Sequence, residues 1–207
     1  MDYHAGNKDS AFTITRDDGF QQILPASVFF KMDHFPSIEM RALDECHGSI
    51  LDIGSAAGRH SLELIRRGCD VTSLDILPEM EEILIDRGQS KVVISDVVRY
   101  SGRRFDTLLM LMNGIGMTGS ETGLKEFLRH AHHLLHPGGQ IVCDSIDVSV
   151  TKESQHVSYR EKNLSKGLPA GQQSFVMARD GEDSVEFKWL HVDFESLARI
   201  CRETEWE

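Results

Sequence analysis

The pattern of apolar and polar positions changes character near residue 48. Residues 1–18 are polar with little periodicity, which predicts a frayed or loosely docked arm. From Phe20 to Cys46 the apolar residues Ile23, Leu24, Val28, Phe29, Phe30, Ile38, Met40 and Leu43 recur near helical spacing, and Pro25 and Pro36 divide them into short helices. Ser37 is the expected N-cap of the last helix, with Gly48 as its stop. Residues 1–47 are thus expected to form an arm and helical cap ahead of a domain spanning 48–207.

Beyond residue 48, short apolar runs alternate with amphipathic stretches, the pattern of a parallel sheet covered by helices. Strands are predicted at Ser49–Ile53, Asp70–Asp75, Lys91–Ser95, Phe105–Met112 and Gln140–Asp144. Helices fall between them at Arg59–Arg67, Pro78–Arg87 and Thr122–Leu135, and the turn His136–Pro137–Gly138–Gly139 leads into the fifth strand. Residues 146–172 are polar and predict a mobile, lid-like excursion. Ser174–Arg179 and Ser184–Val192 flank Asp180–Gly181 as an antiparallel hairpin, and a last helix covers Phe194–Thr204. The fold class is α/β, doubly wound and mostly parallel, with helices on both faces and a C-terminal hairpin.

Of 207 residues 40% are apolar, enough for a core, which excludes wholesale disorder. The 33 acidic and 22 basic side chains leave a formal charge of −11, so neither nucleic acid nor a membrane surface is an expected partner, since each needs a Lys/Arg excess. Neither a long apolar run nor a signal-peptide pattern is present, and the expected location is cytoplasmic. Cys46, Cys69, Cys143 and Cys201 are scattered without a CxxC pair and read as reduced, mostly buried thiols.

The segment Leu51-Asp52-Ile53-Gly54-Ser55-Ala56-Ala57-Gly58-Arg59-His60 runs from a strand through a small-residue turn into a helix, so a ligand can approach its backbone and meet free amides. A dinucleotide fingerprint GxGxxG would put Arg59 where close helix packing needs glycine, which counts against an NAD-dependent oxidoreductase. The segment resembles instead the first motif of class I S-adenosylmethionine-dependent methyltransferases, with Ala56 in place of a usual glycine. The resemblance covers most of residues 49–145: Asp75 ends the second strand, Asp96 follows the third, the fourth closes in Asn113, and Leu134-Leu135-His136-Pro137-Gly138-Gly139 turns into the fifth. It implies a Rossmann-like methyltransferase sheet.

The resemblance also assigns roles. Gly54, Ser55, Ala56 and Gly58 would pass under the methionine part of S-adenosylmethionine, with Asp52 near its ammonium group. Asp75, followed by Ile76, would accept the ribose hydroxyls, a carboxylate having lone pairs for both. Asp96 would accept from the adenine amino group beside Val97, and Met112 and Asn113 would border the methyl group and acceptor. The plainer readings are turn glycines, a solvated strand-end acid at Asp75 and a cap at Asp96.

His34, in the N-terminal helices, and His60, one turn into the cofactor helix, are the candidate general bases, with Asn113 beside the reacting centre. His130, His132, His133 and His136 crowd a helix end, where polar or cationic side chains are favoured, and no metal is expected. Phe187 and Trp189 share a face as core, or as a wall of the acceptor pocket, and Arg103–Arg104 reads as solvated surface. The expected function is methyl transfer by in-line displacement to a small molecule, O-, N- and C-methylation being unresolved. The rival is a catalytically silent protein binding S-adenosylmethionine or S-adenosylhomocysteine. The fold normally adds a seventh strand after the last helix, and Glu205-Trp206-Glu207 is too short for it. Truncation, the hairpin, or a second copy in a homodimer would then account for that sheet edge.

Overall fold

A computed structural model describes residues 2–178 and 185–207. In chain order it contains β1 (Ala11–Arg16), β2 (Gln21–Pro25), α1 (Ser37–Glu45), β3 (Ser49–Ile53), α2 (Arg59–Arg66), β4 (Asp70–Asp75) and α3 (Glu79–Asp86). There follow β5 (Val92–Ile94), β6 (Phe105–Met110), α4 (Glu121–Leu134), β7 (Leu135–Cys143), α5 (Ser154–Ser165), β8 (Gln172–Ala178), β9 (Val185–Leu190) and α6 (Phe194–Glu203). Among the described residues no helix is long and apolar enough to cross a membrane.

Five strands form a parallel sheet in the order β5-β4-β3-β6-β7. The central strands β3, β4 and β6 are buried almost throughout, as a sheet covered on both faces requires; β3 and β6 are mostly apolar, while β4 buries Thr72, Ser73 and Asp75 as well. Leu43 of α1, Ile50, Leu64, Val71, Leu109 and Leu111 pack into one core cluster. The predicted strands and helices of this region stand within two residues of their expected bounds, except at β7. There the predicted turn at residues 136–139 is part of the strand, and the ladder slips between Phe105 and Thr107.

The other four strands form a second, antiparallel sheet in the order β2-β1-β8-β9. This corrects three expectations. The polar arm contains a strand, because Phe12 and Ile14 alternate with Thr13 and Thr15 and pair with β2 and β8. The stretch after Phe20, read as helical, is β2, followed by a single 3-10 turn at Ala26–Phe29. The hairpin strands join this sheet rather than extend the parallel one, and the turn expected at Asp180–Gly181 lies outside the described residues.

The excursion after β7 is also more ordered than expected, since α5 occupies its centre. Residues 154–165 contain neither glycine nor proline, and α5 buries Tyr159 and Asn163, one turn apart. The Asn163 amide donates to Gln172 O at 2.6 Å. Arg16, at the end of β1, is 2% exposed: it donates to both Asp18 oxygens at 2.8 and 2.7 Å and lies over the rings of Phe20 and Tyr159. At α1 the N-cap is Pro36 and Ser37 is already helical, so Ser37 makes no capping bond.

The chain divides into two compact units. One comprises residues up to Ser10, Ala26–Gly114 and His130–Asp144; the other comprises Ala11–Pro25, Ile115–Arg129 and Ser145–Glu207. All predicted site residues belong to the first. No disulfide joins the cysteines, which are half-buried rather than buried.

Candidate active site

The turn after β3 is built from left-handed residues: Gly54 has φ 72°, Ala56 47° and Gly58 80°. The amides of Gly54 and Ser55 both donate to Leu74 O, at 2.8 and 3.1 Å, which fastens the turn to the end of β4. Gly58 then opens α2, and a Cβ there would fall 2.7 Å from the Leu84 side chain of α3. Glycine at this position therefore serves both the backbone conformation and the close approach of two helices. The Ser55 hydroxyl is buried with no hydrogen-bond partner.

Asp75 ends β4 facing that turn. Its Oδ2 accepts from the Ala56 amide and its Oδ1 from the Leu77 amide, each at 2.9 Å. Burial raises its pKa and those two amides oppose the rise. Ile76, the next residue, is 63% exposed, an apolar side chain beside a buried carboxylate. Asp96 follows β5 and caps the short turn Val97–Arg99, its Oδ1 accepting from Val98 N at 3.0 Å, while Val97 is buried.

Asp52 lies deeper. It is almost wholly buried, burial raises its pKa, and its Oδ2 accepts from the Ser61 hydroxyl at 2.6 Å. The Gln89 amide donates to Ser73 Oγ at 2.7 Å, and Ser73 stands 2.6 Å from Ser61 Oγ. With Ser61 committed to Asp52, Ser73 donates to Ser61, and one chain of donors runs from α3's flank to Asp52.

At the far side of β3, Met112 and Asn113 take left-handed conformations in succession, φ 59° and 55°. Such paired strain is held only where surroundings enforce it. The Asn113 amide donates to Asp144 Oδ1 at 2.7 Å. Asp144 follows β7 and was not singled out in the sequence. The signal that could have found it is shared with Asp52, Asp75 and Asp96: each is an acid at or just past the carboxyl end of a parallel strand, where open α/β sheets bind ligands.

The two histidine candidates differ. His60 is buried, its Nε2 2.9 Å from Glu39 Oε2. Arg59 shares that oxygen at 2.9 Å and donates to Val28 O and His34 O, so Glu39, Arg59 and His60 tie α1 and its preceding loop to the start of α2. His34 is exposed and contributes its backbone carbonyl to this cluster. Glu39 and Arg59 were not anticipated, because their pairing depends on how α1 docks. Of the histidines near α4, His130 bonds Tyr100 O and His132, His133 and His136 are exposed. Phe187 packs edge-on against Trp189, 6.1 Å between ring centres. A cavity of about 470 Å³ in the second unit, lined by Leu164, Pro169, Leu190, His191 and Ile200 among others, contains none of the predicted site residues.

The sequence matches over residues 34–187 the family described as a methyltransferase domain. No curated protein sequence matches it. Among solved structures it is similar to a SAM-dependent methyltransferase from Bacteroides fragilis in complex with S-adenosyl-L-homocysteine, at 27% identity and TM-score 0.84, covering 98% of this chain and 82% of that one. It is also similar in fold to a SAM-dependent methyltransferase from Methanosarcina mazei (20% identity, TM-score 0.63, 83% and 84% covered). A third likeness of fold is to the sugar N-methyltransferase KedS8 from Streptoalloteichus (15% identity, TM-score 0.55, 80% and 74% covered).

Proposed function

Since the chain belongs to the family of class I S-adenosylmethionine-dependent methyltransferases, we propose that it transfers the methyl group of S-adenosylmethionine to a small molecule in the cytoplasm. The observation that carries this reading is the Gly54–Gly58 turn, fastened to the end of β4 by Leu74 O and to Asp75 through the Ala56 amide, with the buried Ser55 hydroxyl left for a ligand.

These residues fit the cofactor. Asp75 spends one lone pair of each oxygen on a backbone amide and keeps the others for the two ribose hydroxyls. The exposed Ile76 and the buried Val97 offer apolar surface to an adenine ring, with the second Asp96 oxygen available to its amino group. The left-handed turn keeps the backbone low enough for the methionine portion, and Asp52 fixes the start of α2 from beneath through Ser61. When bound, the sulfonium supplies an already activated methyl group. The protein's part is orientation and exclusion of water, and orientation alone removes as much as about 7–11 kcal/mol of barrier in favourable cases. Met112 and Asn113, at the end of β6, border the space where an acceptor must approach in line. A small acceptor is supported by the net charge of −11, which opposes a polyanionic substrate.

Calorimetric titration with S-adenosylhomocysteine tests the pocket, and methyl transfer from labelled S-adenosylmethionine to a panel of small amines and alcohols tests turnover. Saturable binding is expected. A wild-type protein that binds neither ligand refutes the proposal, and binding without transfer to any acceptor favours the silent binding protein.

A further inference from the structure

Asp144 belongs to the same end of the sheet as Asp52, Asp75 and Asp96 but has no part in holding the cofactor. The strained pair Met112 and Asn113 aims a backbone amide at its Oδ1, 2.7 Å away. No lysine or arginine pairs with it among the described residues; Glu39 on α1 raises its pKa and His60 on α2 lowers it, and these two are held against each other at 2.9 Å. The strand order sets Asp75 and Asp96 on one side of the Gly54–Gly58 turn and Asn113 and Asp144 on the other. If the adenosine were held at the ends of β4 and β5 and the amino-acid part at the β3 turn, Asn113 and Asp144 would stand across that turn from the adenosine, on the side left for the acceptor.

Resting on the proposed function, we propose that the Asp144 carboxylate faces the group that receives the methyl, and that this group is an amine or a hydroxyl. Asp144 accepts a hydrogen bond from its N–H or O–H and so holds a lone pair toward the methyl carbon. As the new N–C or O–C bond forms, the C–S bond breaks with its electron pair going to sulfur, and the proton of the acceptor passes to Asp144 and on to water. Oδ1 accepts from the Asn113 backbone amide, and the acceptor would meet the carboxylate at Oδ2. Burial also raises the pKa of Asp144, which makes it a stronger proton acceptor than an exposed aspartate.

The test needs no acceptor. Sinefungin carries an ammonium-bearing carbon where S-adenosylmethionine has its methylsulfonium, so with no acceptor present its ammonium projects from the methyl position toward the place the acceptor would take and probes the Asp144 charge there. Calorimetry on the intact protein should show sinefungin binding about tenfold more tightly than S-adenosylhomocysteine, the scale of one charge-assisted hydrogen bond. Asp144→Asn keeps an oxygen for the Asn113 amide; it should bind S-adenosylhomocysteine within about threefold of wild type and lose most of the sinefungin margin. Equal binding of the two ligands by wild type, an unchanged margin in D144N, or D144N losing S-adenosylhomocysteine as well would each overturn the assignment. Failure of wild type to bind either ligand overturns the cofactor reading instead.

Discussion

On the proposed function, Asp75 would matter to binding without mattering to folding. Its carboxylate anchors two backbone amides, yet burial raises its pKa, so the folded state tolerates its charge poorly. Removing the side chain releases that desolvation while leaving the Ala56 and Leu77 amides without acceptors, two effects of opposite sign. Asp75→Ala should therefore change the urea midpoint by no more than about 1 kcal/mol in stability, while a lost pair of hydrogen bonds to a charged group lowers S-adenosylhomocysteine affinity by about 30-fold or more. Parallel urea and calorimetric titrations separate the two, and an affinity within threefold of wild type would remove Asp75 from the pocket. Asp75 was legible in the sequence because its place follows from a local order of motif residues. Glu39 was not, because an acid in the first turn of α1 gains its meaning only once Arg59 and His60 arrive from another element.

At the scale of elements, α2 carries an electrostatic device of its own. Glu63 is buried and receives Arg66 at 2.8 Å and Arg67 at 2.8 Å, which pull its pKa down to about 2. A carboxylate with a depressed folded pKa adds stability that is complete above its unfolded value near 4.5 and is lost as pH falls toward 2. Arg66 is largely exposed, so screening reduces the contribution to about 1–2 kcal/mol. Glu63→Gln should show a shallower acid-side loss of stability than wild type between those limits, measured as chemical unfolding against pH; identical slopes would show the pairs to be inert. Asp52, Asp75 and Asp144 act in the opposite sense, since their raised pKa values favour the folded form as they protonate. The elements themselves divide by how local their causes are. The strands β3, β5 and β6 announce themselves as short apolar runs, and β4 as an alternation between Gly68 and the acid Asp75. β1 does not, because AFTITR gains its partners from β2 and from β8 near the other end of the chain. α5 is nearly all polar, and only Tyr159 and Asn163 on one face betray it.

For the whole molecule, the division into two units makes a testable statement about where the ligand acts. Every residue assigned to the cofactor, and Asp144 with them, belongs to the unit formed by residues up to Ser10, Ala26–Gly114 and His130–Asp144. A ligand that binds only the folded form of that unit raises the cost of opening it by RT ln(1 + [L]/Kd), about 2.7 kcal/mol at a hundredfold excess over Kd. Amides that exchange through its opening should slow by about a hundredfold under saturating S-adenosylhomocysteine. The strongest effect should fall at Ala56 and Leu77, whose donors rest on Asp75, and at Asn113, whose donor rests on Asp144. Hydrogen exchange read by NMR or mass spectrometry gives the map directly. If slowing instead concentrated in β1, β8 and β9 with the amides after β3, β4 and β6 unchanged, the ligand would have to be held by the antiparallel sheet, and the site would need to be sought among the residues the motif order leaves out.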